Sequence, residues 1–111
     1  MIRLTSQTKV LLAMKPVDFR KQIDGLVAFC KRDLQSDPRS GSYFVFINKS
    51  RTQVRVLSYD GSGYWLCSKR ISKGKFEAWP QGDADLSSVD AKQLMQIIKA
   101  TLCSSAPIAV A

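Results

Sequence analysis

Histidine is absent from the 111 residues of this chain. Without an imidazole, neither a serine–histidine–aspartate arrangement nor a cysteine–histidine nucleophile can be assembled. Cysteine is scarce: Cys30, Cys67 and Cys103 are an odd number at wide spacing, with no CxxC pair. A zinc site would have to combine these thiols with carboxylates, an uncommon ligand set. Each cysteine lies in an apolar stretch and reads as a buried free thiol, a usage that goes with a reducing compartment. No Gly-x-x-x-x-Gly-Lys-Ser/Thr loop occurs, which removes the signature of a P-loop nucleotide site. Long hydrophobic runs are missing too: Val10 to Met14 is far short of the roughly 20 residues a membrane span requires. The stretch from Met1 to Lys9 lacks the positive start, apolar middle and small-residue cleavage site of a signal peptide. A cytoplasmic location with no membrane contact is the expectation, and no metal or other cofactor is implied.

Acidic residues are also few, nine against seventeen Lys and Arg, for a net charge of +8 and a pI near 9.7. Such an excess draws a protein to polyanions, where each neutralised phosphate releases counterions. Apolar residues make up 45% of the chain and charged residues 23%, the composition of an ordinary globular domain. The length fits one domain. Residues 1–103 read as that domain and 104–111, which carry no pattern, as a flexible C-terminal tail.

The chain reads as β-α-β-β-β-β-α, a small α+β domain with an antiparallel sheet of four to five strands and two helices. Lys9 to Met14 is a short buried strand ended by Pro16. From Asp18, a candidate N-cap, Phe19, Ile23, Leu26, Val27 and Cys30 recur at helical spacing until about Leu34. Gly25 inside that helix suggests a close approach to the sheet. Ser36 to Gly41 is a run of turn formers. Tyr43 to Ile47 is apolar throughout, as a strand covered on both faces would be. Gln53 to Tyr59 alternates, with Val54 and Val56 on one face and Gln53 and Arg55 on the other. Asn48 to Arg51 is the turn between these two strands. Asp60 to Gly63 connects to a strand beginning at Tyr64, a hairpin signal. Ser72 to Lys75 is a further turn before a short strand from Phe76 to Trp79, which Pro80 ends. Gln81 to Asp85 reads as a loop, and Ser87 to Asp90 as a capping box with Asp in place of Glu. Leu94, Ile97, Ile98, Thr101 and Leu102 line one face of a closing helix.

Seven bases fall between positions 49 and 75: Lys49, Arg51, Arg55, Lys69, Arg70, Lys73 and Lys75. Aromatic Tyr59, Tyr64, Trp65, Phe76 and Trp79 are interleaved with them. If Gly61-Ser62 is a two-residue loop, Tyr59 faces Tyr64, Gln53 faces Arg70, and Arg55, Tyr59, Tyr64 and Arg70 share one sheet face. A cationic face with rings suits phosphate contact and base stacking. Ring by ring, Trp65 and Phe76 read as packed in the core. Arg20 and Lys21 add a second basic patch at a helix start. Asp60, Asp83 and Asp85 could in principle hold Mg²⁺, but carboxylates in turns usually serve the turns themselves.

Four stretches carry a family resemblance. They are Phe44-Val-Phe46-Ile-Asn48-Lys49, Arg55-Val-Leu57-Ser-Tyr59-Asp60-Gly61-Ser-Gly63-Tyr64-Trp-Leu66, Lys69-Arg70-Ile-Ser-Lys73-Gly74-Lys75-Phe76 and Val17-Asp18-Phe19-Arg20-Lys21-Gln-Ile23-Asp24-Gly25-Leu26. From about Lys9 to Pro80 the chain resembles the accessory protein TnpB of IS-66 type insertion sequences, which shares only a label with the RNA-guided nucleases also called TnpB. One departure is that Phe76 and Trp79 are separated by two residues where the family has one. The resemblance implies a non-catalytic protein encoded beside a transposase and a further accessory protein, with the catalytic acids on the transposase.

Two functions stay open. A DNA-binding accessory subunit would hold element ends or target DNA through Lys49, Arg51, Arg55, Lys69, Arg70, Lys73 and Lys75, helped by Tyr64, Arg20 and Lys21. An adapter would instead dock on the transposase or other proteins of the element, with Tyr64, Trp65 and Trp79 as anchors. Oligomeric state is not readable from these residues.

Overall fold

Unbroken apolar character places Tyr43–Ile47 (β2) in the middle of a sheet, because both of its faces must be covered. The computed structural model describes residues 8–77, 79–80 and 82–103 and, for 98–103, the backbone alone. The tail expected at 104–111 and the start at 1–7 lie outside the described residues. Around β2 stand Val10–Ala13 (β1), Gln53–Tyr59 (β3), Tyr64–Arg70 (β4) and Leu86–Val89 (β5), in the spatial order β4-β3-β2-β1-β5. Helices α1 (Ile23–Arg32) and α2 (Ala91–Cys103) complete the expected order of elements. The sheet is mixed: β1 and β2 pair in parallel while the other three pairings are antiparallel. Helix α1 is the reason, since a strand–helix–strand crossover returns the chain to the end where β1 began.

Alternation divides the core between the two sheet faces. Phe44, Phe46 and Leu57 point toward α1 and pack with Leu26, Cys30 and Leu34. Val45, Ile47, Val54 and Val56 point the other way, onto Ile71, Phe76 and Trp79 and onto Leu94 and Ile97 of α2. Rings at full burial dominate, with Phe44, Phe46 and Phe76 among the largest buried side chains. Each contributes on the order of 1.5–3 kcal/mol relative to exposure. Phe29 meets Phe46 edge-on with centroids 6.2 Å apart. Burial pushes the Cys30 thiol up to about 12, so it stays protonated and packs as a small apolar group. Cys67 is a free thiol that is only partly buried.

Local expectations fare unevenly. Helix α1 starts at Ile23 rather than Asp18, and its N-cap Gln22 makes no side-chain cap bond. Asp18 closes a local turn instead: its carboxylate accepts from the Arg20 main-chain N–H at 2.9 Å and from the Arg20 guanidinium. Gly25 does not admit the sheet; a Cβ there would meet the Lys21 stem at 3.1 Å. No strand forms at Phe76, Glu77 or Trp79. That segment crosses the sheet face, with Phe76 fully buried and Trp79 3% exposed. The Trp79 indole N–H donates to the Ala13 carbonyl at 3.1 Å. The fifth strand lies ten residues later, where Leu86–Val89 pairs antiparallel with β1. Ser87 therefore sits in a strand, and the capping box is shifted by three: Gln93 N–H donates to Asp90 Oδ1 at 2.7 Å while Asp90 N–H donates to Gln93 Oε1 at 3.0 Å. Leu94 and Ile97 form the buried face of α2 as expected; the side chains of Ile98, Thr101 and Leu102 lie outside the described residues.

Candidate nucleic-acid interface

Three loops meet at the end of the sheet where β1, β2 and β4 finish and β3 begins. The 48–52 turn is organised by Asn48, whose Oδ1 accepts from the N–H groups of Thr52 at 3.0 Å and Gln53 at 3.1 Å. Its Nδ2 donates to Thr52 Oγ1, and Arg51 N–H closes the turn on the Asn48 carbonyl at 3.1 Å. The chain leaving β4 then runs along this turn: Ile71 N–H donates to the Thr52 carbonyl at 3.0 Å and Phe76 N–H to the Arg51 carbonyl at 2.7 Å. From the other side, Val17 N–H donates to the Ile47 carbonyl at 2.9 Å, bringing the loop after β1 to the same end. Lys49, Arg51, Arg70, Lys73 and Lys75 are thereby collected from two hairpins, with Arg20 and Lys21 nearby on the third loop. Lys49, Arg70, Lys73 and Lys75 are exposed; Arg51, Lys69 and Lys21 are partly so.

The expected register of the hairpin holds, with Tyr59 paired to Tyr64 and Gln53 to Arg70. Asp60 N–H donates to the Gly63 carbonyl at 3.1 Å, leaving Gly61-Ser62 as the two-residue loop. Gly61 has φ +98°, a conformation available to glycine. Arg55, Tyr59, Tyr64 and Arg70 do lie on one face, but their surroundings differ. Arg55 reaches under the loop before α1, where its Nη1 donates to the carbonyls of Phe19 at 2.9 Å and Lys21 at 3.0 Å. Its guanidinium lies 4.6 Å from the Phe19 ring centroid. Arg55 thus ties that loop to the sheet and fixes where Lys21 stands. Arg20 is held by Asp18 at 2.8 Å, both side chains well exposed, and this contact lowers the Asp18 carboxyl to about 2.

Tyr64 sits at the opposite end of β4 from Arg70, roughly 20 Å away at about 3.4 Å per residue. Its ring centroid lies 5.0 Å from that of Tyr59 with the ring planes tilted at 57°, and Arg39 lies 5.2 Å from the Tyr59 ring centroid. Hydrogen bonding to the Tyr64 hydroxyl holds the Arg39 guanidinium above its ordinary pKa. Arg39 and Lys15 were not expected at either end. Lys15 follows β1 directly and is exposed, but only the parallel pairing of β1 with β2 reveals that it joins the basic end. Trp65, expected in the core, is 47% exposed on the outer strand, its indole N–H donating to Asp60 Oδ2 at 2.7 Å. Trp79, a candidate anchor, is buried instead.

Among the described residues no three Cys, Asp or Glu side chains come together as a metal site would require. Among the described residues no helix is long and apolar enough to cross a membrane. What the basic end offers is a set of lysine and arginine side chains around one backbone-ordered turn, an arrangement that can contact successive phosphates.

A family model described as IS66 Orf2 like protein matches residues 8–106. The chain belongs to this family. It is therefore an insertion-sequence-associated protein, as the resemblance implied. The uncharacterized protein y4jC of Sinorhizobium fredii is 40% identical over 78 residues, 70% of this chain and 67% of that protein. The uncharacterized protein y4hO of the same organism is 28% identical over 90 residues, covering 81% and 77%. No solved structure matches the chain.

Proposed function

We propose that the chain is a DNA-binding accessory subunit of its insertion sequence, holding element ends or target DNA by phosphate contact at the basic end. The observation that carries this reading is the convergence of Lys49, Arg51, Arg70, Lys73 and Lys75 through the two main-chain bonds that join the 71–76 segment to the 48–52 turn. Arg51 adds to it. The residue holds φ +60°, a left-handed conformation in which a non-glycine residue is destabilising by about 1–2 kcal/mol. Backbone strain of this kind clusters at functional positions, and here it falls on a cation of the basic end. Arg55 and Lys69 contribute less directly, Arg55 by positioning the 16–21 loop. The protein acts without catalysing a reaction itself, with the transposase and other proteins of the element as its partners.

The test is fluorescence anisotropy of a labelled element-end duplex across a salt series, beside a scrambled duplex. Removing one lysine–phosphate pair should flatten the slope of log K against log salt by about 0.9. Lys49→Ala, Lys73→Ala and Lys75→Ala combined should therefore flatten it by roughly 2–3, on both duplexes alike. An unchanged slope would reject this surface. Arg55→Ala is a poor probe because it also releases the loop. The second reading, an adapter docking on the transposase, is favoured by the exposed Trp65 ring; capture of the transposase that Trp65→Ala abolishes, with no DNA binding, would support it.

A further inference from the structure

β4 is the outermost strand at one edge of the sheet, and among the described residues it pairs with β3 alone. Its hydrogen-bonding phase is set at both ends, by Asp60 N–H on the Gly63 carbonyl and by Ile71 N–H on the Thr52 carbonyl. Along an antiparallel ladder the bonded pairs alternate. Main-chain groups of Trp65, Cys67 and Lys69 therefore face β3, while those of Tyr64, Leu66, Ser68 and Arg70 face outward. The opposite edge, β5, is four residues long; β4 has seven, with no proline and with the exposed Trp65. An open edge of that length is a template for a further strand.

We infer that β4 pairs antiparallel with β4 of a second copy of this chain, about a two-fold axis through Cys67. The strand is complementary to its own reverse. Centred on Cys67, all seven residues overlap, with Tyr64 opposite Arg70, Trp65 opposite Lys69 and Leu66 opposite Ser68. Each ring meets a cation, and no cation meets a cation. A slip of one residue would oppose inward to outward main-chain groups. A slip of two carries either both rings or both cations past the end of the partner strand. Parallel pairing in register would set Lys69 beside Lys69. Only one arrangement satisfies overlap, phase and charge together. It joins two five-stranded sheets into one of ten strands and directs the two basic ends in opposite directions along it. The inference is independent of what those ends bind.

In this register Cys67 faces Cys67 at a non-hydrogen-bonded position, where Cα atoms approach to about 4.5 Å. That lies within the range a disulfide spans, so Cys67 reports on the pairing. The experiment is sedimentation of the full chain at high salt, which strips bound nucleic acid, followed by treatment with oxidised glutathione and mapping of the cross-linked peptide. The expected result is twice the 12.4 kDa chain mass and a Cys67–Cys67 link that Cys67→Ser abolishes without dissociating the dimer. Ser68→Pro removes an outward N–H that β3 does not use and should yield a monomer with an unchanged far-ultraviolet circular dichroism spectrum. Should that variant fold poorly, Trp65→Lys, which sets Lys against Lys69, should weaken the dimer at least ~10-fold by replacing the ring–cation pair with repulsion. A monomer at every concentration overturns the inference. So does a dimer that gives no Cys67 cross-link and is indifferent to Trp65→Lys.

Discussion

Strand β3 ends in two turns, each organised by an Asx side chain, and they are built for different work. At its start, neutral Asn48 gathers the N–H groups of Thr52 and Gln53. At its finish, Asp60 accepts from the N–H groups of Ser62 and Gly63, the Ser62 hydroxyl and the Trp65 indole. These donors, led by the Ser62 N–H, hold the Asp60 carboxyl well below the usual carboxylate range. The Asp60 turn puts glycine at its positive-φ position, whereas the Asn48 turn puts Arg51 there. One turn is thus self-sufficient and chemically quiet, close to an ideal hairpin. The other adds no negative charge of its own beside the cations, carries backbone strain, and depends on a second segment laid along it. A neutral amide supplies the same acceptor geometry as a carboxylate without cancelling the positive field around it.

The comparison can be broken most severely at Phe76, the buried ring beneath the basic end. Phe76→Ala should destabilise the fold by about 3–5 kcal/mol, read by chemical denaturation, and should weaken polyanion binding more than any single lysine substitution. A destabilisation under about 1 kcal/mol would show that the 71–76 segment is held by its main-chain bonds alone. Next in size, Asn48→Ala leaves two main-chain donors without their acceptor and should be destabilising by about 1–3 kcal/mol; Asn48→Asp should restore the bonds while weakening DNA binding through its added charge.

Arg51→Gly sharpens the contrast in the opposite direction. Relief of the left-handed strain, partly offset by the greater freedom of glycine in the unfolded chain, should raise stability by about 0.5–1 kcal/mol. Binding should fall in the same variant, separating the contribution of Arg51 to function from its effect on the fold. The smallest effect is on acid stability. Asp60 and Asp18 both have folded pKa values below their ordinary value of 3.8, Asp18 at about 2. The unfolded chain takes up protons first on acidification, so their stabilisation is complete above 3.8 and is lost as the pH falls toward the folded values. Melting temperature should drop across that acid range, and Asp18→Asn with Asp60→Asn should flatten the drop. The Asn48 turn has no group that titrates there.

Much of the fold was legible because its signals are local. Apolar continuity marked β2, alternation marked β3, and Asp60 to Gly63 set the hairpin register that pairs Tyr59 with Tyr64. The failures came where a local pattern had two physical readings. Phe76 and Trp79 are large, apolar and closed by Pro80, which suits a strand as well as a segment crossing a sheet; only the buried partners Val54 and Val56 on that face select the second. Leu86–Val89 is short and rich in serine, so nothing local announces a strand, and the free edge of β1 supplies its bonding partner. Asp18 resembles an N-cap, but its carboxylate accepts from the Arg20 N–H and the helix starts later, at Ile23.

By itself, the sequence determined the order of elements, the register of the central hairpin, the excess of positive charge and the family. Each of these rests on residue type and on neighbours close along the chain. Tertiary structure alone decided that β1 pairs in parallel with β2, which carries Lys15, Arg20 and Lys21 to the end already holding Lys49 and Lys73. It likewise made Arg55 a tie to the loop before α1 and exposed Trp65 while burying Trp79. These outcomes depend on which surfaces the packed sheet leaves open, and that follows from contacts between residues far apart in the chain.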